Sequence, residues 1–525
     1  MRFRLAPALV ATALLSALCG PAAHAAKGPP SHNVAWLPAA NDADIDRAFV
    51  QARSQKKPVL LYWGATWCPP CNQLKATLFN RQDFASEAKS FVAVHVDGDL
   101  PGAQKLGHRF NVSGYPTLVL LNADGGEITR LPGEVEPAQV LALMQLGLSD
   151  GRPLKAVLAD ALAGQPLAAN EWKLLAFYSW ETDEQQLVGK DEMAGVLARL
   201  AAASPAADSE TSTRLWLKAA LAADGDKSGK GVKPDAALRA RVERVLSDPA
   251  RARAQMDVVT NSAADLLRAL AGDGAPGQSP LLPLFDAALQ RLAADTTLSR
   301  GDRLTALISR VELARLGQPK DAVQVKLPEA LLKAVREQVA QDDREITDAY
   351  ERQAVITEAG FALGYSGLWA ESDALLKANL AKSHSPYYLM SQLGSNARKL
   401  GHKDEALQWY RKAFETSEGP ATRLQWGSSY LSALVDLAPQ DAARIEKTAS
   451  TLFTEAAKDA GAFDGRSMHS MQRVGRKLVT WNADGKRAAA LKRLQAQLDG
   501  VCRHTETADG QKAACQALLK PKTAS

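Results

Sequence analysis

The run "KPVLLYWGATWCPPC", residues 57–71, constrains the fold more than any other stretch. "PVLLYW" is short, apolar and rich in β-forming types, so it reads as a buried strand. Cys68 and Cys71 then bracket Pro69 and Pro70. Proline suits the first turn of a helix, where a missing N–H is not needed. The chain must therefore turn from a buried strand into a helix at Cys68, which demands a layered α/β unit.

The surrounding text supplies the other elements of that unit. "DADIDRAFVQARSQKK" is amphipathic, with Ile45, Phe49 and Ala52 on one face. "FVAVHV" (91–96), "PTLVLL" (116–121) and "EITRL" (127–131) read as strands, the last two joined by Asp124-Gly125-Gly126, a hairpin turn. "EPAQVLALMQLGL" closes the unit as a helix. Residues 34–150 are thus expected to run β-α-β-α-β-α-β-β-α, a mixed sheet with helices on both faces. Strand signals then stop. An all-α region is expected over 151–500, with loops at 224–235 and 271–280 and a cysteine-containing tail at 501–525. Gly360 and Gly394 lie 34 residues apart, as do Gly367 and Gly401. The later copy, with Ala406, Tyr410 and Ala413, resembles a tetratricopeptide repeat, so hairpins of that kind are expected around 350–415.

Residues 1–25 read as an export signal: Arg2 and Arg4, then "LAPALVATALLSALCG", then an Ala23-His24-Ala25 cleavage site. Lipidation at Cys19 is the weaker alternative. Export implies an oxidising compartment, here the periplasm. No later stretch approaches 18 uninterrupted apolar residues, so no second membrane span is expected. The formal charge of +5 falls to +3 without Arg2 and Arg4. Lys and Arg are dispersed, which argues against a nucleic-acid surface. Of the five cysteines, Cys19 leaves with the signal. Cys502 and Cys515 are expected to form a structural disulfide, contributing roughly 3 kcal/mol by closing a short loop.

Cys68 and Cys71 admit three readings: a redox pair, half of a metal site, or an inert disulfide. A zinc site needs four ligands, and neither a second C-x-x-C nor a His pair is near; His95 and His108 are isolated. No metal and no organic cofactor is expected. For a redox pair the placement is apt. A cysteine at a helix N-terminus meets free N–H groups and the positive dipole end, both of which favour its thiolate. Cys71, three residues on, lies on the same side and can resolve a mixed disulfide.

"WCPPC" after a buried strand, with "SGYPTLVLL" 45 residues further, resembles the thioredoxin superfamily. Within it, "KPVLLYWGATWCPPCNQLKATLF" is similar to the thioredoxin-like C-terminal domain of bacterial thiol:disulfide interchange proteins. The resemblance covers 34–150. It implies that Cys68 attacks, Cys71 resolves, Pro116 is cis, and Tyr115 offers its backbone to an extended substrate. Trp67, Pro69 and Pro70 complete the groove, with Trp67 at its rim. Protein thiols and disulfides are the implied substrates, with a redox partner protein upstream and the helical region as a protein–protein contact surface.

Two departures from the family pattern stand out. Tyr62 occupies the place of a buried Asp, and Ala93 that of its Lys partner; Lys75 replaces a Glu found in the interchange domains. Either water or Tyr62 is then the base for Cys71, or Cys71 deprotonates slowly; Lys75 reads as a solvated surface lysine, with lowering of a thiol pKa by its charge as the alternative. The Pro-Pro dipeptide supplies no charge, which favours a reductase or electron relay over an oxidant. A disulfide isomerase, or a helical scaffold with the α/β unit as docking module, are the rival readings. "DGDKSGKGVKPD" only partly matches a calcium loop and reads as a charged linker. Trp409, Tyr410, Trp426 and Tyr430 read as core.

Overall fold

The computed structural model describes residues 34–520, except 113, 134, 184–185, 206–208, 273 and 506–509. The export segment and Cys19 lie outside the described residues.

Five strands form one sheet in the order β1-β3-β2-β4-β5. They are β1 (Leu37–Ala39), β2 (Val59–Gly64), β3 (Val92–Asp97), β4 (Thr117–Leu121) and β5 (Glu127–Leu131). β3 runs parallel to β1 and β2, whereas β4 is antiparallel to β2 and β5. All six residues of β2 are buried because the strand is central and covered on both faces. Alternation along it sends Val59, Leu61 and Trp63 to one core with Ile45 and Phe49, and Leu60 and Tyr62 to the other with Phe79, Phe84 and Met144. The helices are α1 (Asp42–Gln55), α2 (Pro69–Leu74), α3 (Gln82–Glu87), α4 (Ala103–Arg109) and α5 (Pro137–Asp150). An Asn41–Asp44 capping box starts α1. α2 runs directly into a π-helical turn, Lys75–Phe79.

After Asp150 the described chain is helical, with short 3-10 turns. The helices Ala349–Tyr365 and Trp369–Asn379 form one hairpin, and Pro386–Lys399 and Lys403–Thr416 form the next. The 34-residue spacing has a packing counterpart. A Cβ at Gly360 would lie 2.6 Å from Leu376, and one at Gly394 would lie 3.1 Å from Tyr410, the residue 34 further on. Gly367 and Gly401 both turn the chain at positive φ, 80° and 81°. Cys502 and Cys515 are disulfide-bonded and buried between the last two helices. In the 224–235 loop, Asp226 accepts from the Ser228 hydroxyl and from the N–H groups of Ser228 and Gly231, so it serves the turn itself.

Candidate active site

Cys68 caps α2, with Pro69 and Pro70 opening the helix. Its sulfur accepts a hydrogen bond from the Cys71 N–H at 3.2 Å, and the two cysteines are disulfide-bonded with their Cα atoms 5.2 Å apart. The Tyr115–Pro116 peptide is cis. Asn72, fully buried, donates from Nδ2 to both Thr66 O and Cys68 O at 2.8 Å, which ties the loop before the pair to the helix after it.

The surroundings correct three expectations. Trp67 is not at a rim. It is 5% exposed, and its Nε1–H lies 2.8 Å from Asp99 Oδ2 and 2.7 Å from Thr422 Oγ1, a residue of the helix Pro420–Leu437. Lys75 is not a solvated lysine. It is buried, with Nζ 5.2 Å from the centre of the Tyr350 ring. One helical turn past Cys71, it shares that residue's inward face, and the charge in the sequence disguised the geometry. Tyr62 is not a usable base. Burial, helped by Asp97 and Tyr350, pushes its phenol far above its ordinary range, so it holds its proton. Its ring stacks on His95, whose pKa falls to about 3 through burial and then Lys75.

Carboxylates do gather near the pair, from the "VDGDLPG" stretch that ends β3. Asp97 pairs in the sheet with Gly64, four residues before Cys68. Burial, above all, raises its pKa, against the backbone N–H of Asp99 and the Lys75 charge. Asp99 is pushed up to about 7 by burial first and then by the Asp97 charge; Thr422, Trp67 and Arg466 oppose the shift.

The groove that the resemblance assigns to substrate is filled by the helical region. Tyr387, Ala413 and Trp426 pack with Ala65, Trp67 and both cysteines in one apolar cluster. Tyr388 stacks on the Trp67 ring at 5.8 Å. The Arg466 guanidinium sits 5.2 Å from the Trp67 ring and 4.6 Å from the Tyr115 ring. Its backbone N–H donates to Gln104, whose Nε2 donates in turn to Gly98 O and the Tyr115 hydroxyl. His384 Nε2 lies 3.1 Å from Thr66 O. Consequently Cys68 is 2% exposed and Cys71 0%, whereas Pro70 is open to solvent and Tyr115 and Pro116 are half-buried. Beside Pro70 a cleft of about 100 Å³ runs between α2, Gly133 and Gly301. Sequence reasoning missed Asn72, Asp97, Asp99, His384, Thr422 and Arg466. Trp426 is core, as read, but it is the core laid over the cysteines. Cys502 and Cys515 belong to a different cluster and do not join the site.

A family model described as a thioredoxin-like domain matches residues 45–147. The thiol:disulfide interchange protein DsbD 2 of Pseudomonas aeruginosa is 30% identical over 119 residues, covering 22% of this chain and 20% of the relative. DsbD of Yersinia pestis is 29% identical over 117 residues, and DsbD of Vibrio vulnificus 28% over 116, each covering no more than 22% of this chain and 20% of the relative. The chain therefore spans about a fifth of the length of the curated relatives it matches. Both comparisons support thiol–disulfide oxidoreductase chemistry, and Cys68–Cys71 fits the C-x-x-C pair it uses. Residues 45–147 are a thioredoxin-like domain, similar to part of the DsbD-type interchange proteins and set in front of a largely helical region.

Proposed function

We propose that the chain is an exported thiol:disulfide oxidoreductase that reduces protein disulfides, or relays electrons, through Cys68 and Cys71. The observation that carries this reading is the bond from the Cys71 N–H to the Cys68 sulfur at the start of α2. A backbone donor on the sulfur favours the thiolate, which is the nucleophile. In the forward direction the Cys68 thiolate attacks one sulfur of a substrate disulfide, and the other leaves as a thiolate that takes a proton from water. Cys71 then loses its proton and attacks the Cys68 sulfur. The substrate leaves as a dithiol, and the pair remains as a disulfide. An external dithiol returns the two electrons. Asp97 and Asp99 are the buried carboxylates nearest in the chain to this chemistry and replace Tyr62 as candidates to take the Cys71 proton.

Periplasmic location is part of the proposal and rests on residues 1–25. Among the described residues no helix is long and apolar enough to cross a membrane. The boundaries 34–150 and 151–500, and the tetratricopeptide-like character of 350–415, are likewise proposals. The scaffold reading keeps one observation in its favour, the covered pair. Dithiothreitol-driven reduction of insulin by the full chain separates the two. Oxidoreductase function predicts turnover by the wild type and none by Cys68→Ser; equal rates from both would remove it. Direction is read from the potential of the pair: about −270 mV places it with reductants and about −120 mV with oxidants.

A further inference from the structure

The neutral Cys68–Cys71 disulfide is roofed by residues that the chain supplies more than 300 positions later. Thr66 O meets His384, Trp67 meets Thr422 and Tyr388, and Tyr115 meets Arg466. Disulfide exchange needs a third sulfur to approach Cys68 in line, and a 2% exposed sulfur under Tyr387 and Trp426 offers no such path while the roof is seated. The arrangement is therefore a closed one.

What holds it closed depends on the charge of the pair. A disulfide is neutral and sits at little cost in an apolar cluster. A Cys68 thiolate in the same place keeps the Cys71 N–H but is stripped of water by the roof, which is unfavourable for a charge. The charged or titratable groups facing the site include Asp97 and Asp99 at and just after the end of β3, Lys75 with Tyr350, Tyr115, His384, Tyr387, Tyr388 with Glu358, and Arg466. Arg466 already serves the two rings, and its charge acts on Asp99 of the domain beneath, so the roof's cation is already engaged. A ligand that binds one redox form better than the other shifts with the redox state, and the same holds for a roof tethered in the chain.

We infer that the helical region is a redox-linked lid on the Cys68–Cys71 pair, seated on the disulfide and released when reduction creates the Cys68 thiolate. Reduction is by an external dithiol that reaches the pair when the roof lifts transiently. The dithiol becomes a disulfide and gives up two electrons and two protons; the pair takes both electrons and one proton to become one thiolate and one thiol, and the second proton passes to water. The released groove, with Trp67, Tyr115 and Thr66 O exposed, is what a protein disulfide meets. This inference rests on the oxidoreductase reading.

Hydrogen exchange on the full chain tests it, with the pair oxidised or held reduced by dithiothreitol at pH 8. The lid predicts that amides of residues 387–390 and 422–427 exchange at least tenfold faster in the reduced form. It also predicts that Cys68→Ser, which has neither disulfide nor attacking thiolate, stays protected. Trp426→Ala, seated on the roof, should speed reduction of the pair by dithiothreitol tenfold or more. Equal protection in both redox forms would overturn the lid and leave the oxidoreductase reading standing. Fast exchange in Cys68→Ser would overturn the thiolate as its trigger. A pair that dithiothreitol cannot reduce in either the wild type or Trp426→Ala would remove both readings together.

Discussion

Asn72 looks unremarkable in "PPCNQL", yet both its hydrogen bonds hold the loop that presents Cys68. Asn72→Ala removes both side-chain donors, while Thr66 O keeps His384 and Cys68 O keeps the backbone N–H of residue 72. It should cost roughly 0.5–1.5 kcal/mol, read as a lower denaturant midpoint with unchanged slope. Asp99 governs the pH response. Its folded pKa stands at about 7, above the ordinary 3.8. The protonated form is thus favoured in the closed site; this stabilisation is complete below about pH 4 and is lost as pH rises through 7. Asp97, Arg466, Tyr115 and Tyr387 face the same carboxyl, and Arg466 blunts the loss without reversing it. Asp99→Asn keeps the acceptor for Trp67 but cannot ionise. Its melting temperature should fall less than that of the wild type between pH 5 and 8, and identical profiles would exclude Asp99 as the titrating group. None of this was legible beforehand. Asp97 ends β3 and Asp99 follows it in a polar stretch that reads as a connection, and Thr422 and Arg466, which act on Asp99, come from far along the chain.

At the scale of elements, the α/β unit was the legible part. β2 announces itself through six buried apolar residues, and the prolines mark where α2 begins. The order of strands and helices follows from local patterns that span a few residues each. The roof does not, because its contacts join residues such as Trp67 and Thr422 that no periodicity relates. Gly419 shows how tightly these elements meet. Its φ is +84°, and an added Cβ would stand 2.8 Å from the Cβ of Asp99. Gly419→Ala should therefore lift the start of the helix Pro420–Leu437 off the domain, at roughly 1–3 kcal/mol. Faster reduction of the Cys68–Cys71 disulfide by dithiothreitol is the expected readout, with near-native helical content by circular dichroism.

Over the whole molecule, the C-terminal disulfide acts on the N-terminal site through packing. Cys502 and Cys515 share a core with Met471, Val474 and Leu478 of the helix Gly465–Trp481, the helix that begins at Arg466's end. Replacing both cysteines by serine should cost roughly 3 kcal/mol and loosen the seat of Arg466. A lowered melting temperature, with insulin reduction retained or raised, is the expected outcome. A loss of activity in a still-folded double variant would mean that the C-terminal helices assist catalysis directly. The sequence allowed that disulfide to be anticipated from spacing alone, but its link to residue 67 needed the fold.

The distance along the chain between the pair and its roof also sets an order of events. From Cys71 to Arg466 there are 395 positions, the difference of their numbers. At about 5–20 residues per second, a chain grows through that interval in about 20–80 s. Cys68 and Cys71 are thus made before any residue that shelters them, and the helices that arrive last close over whichever redox state the pair has by then reached.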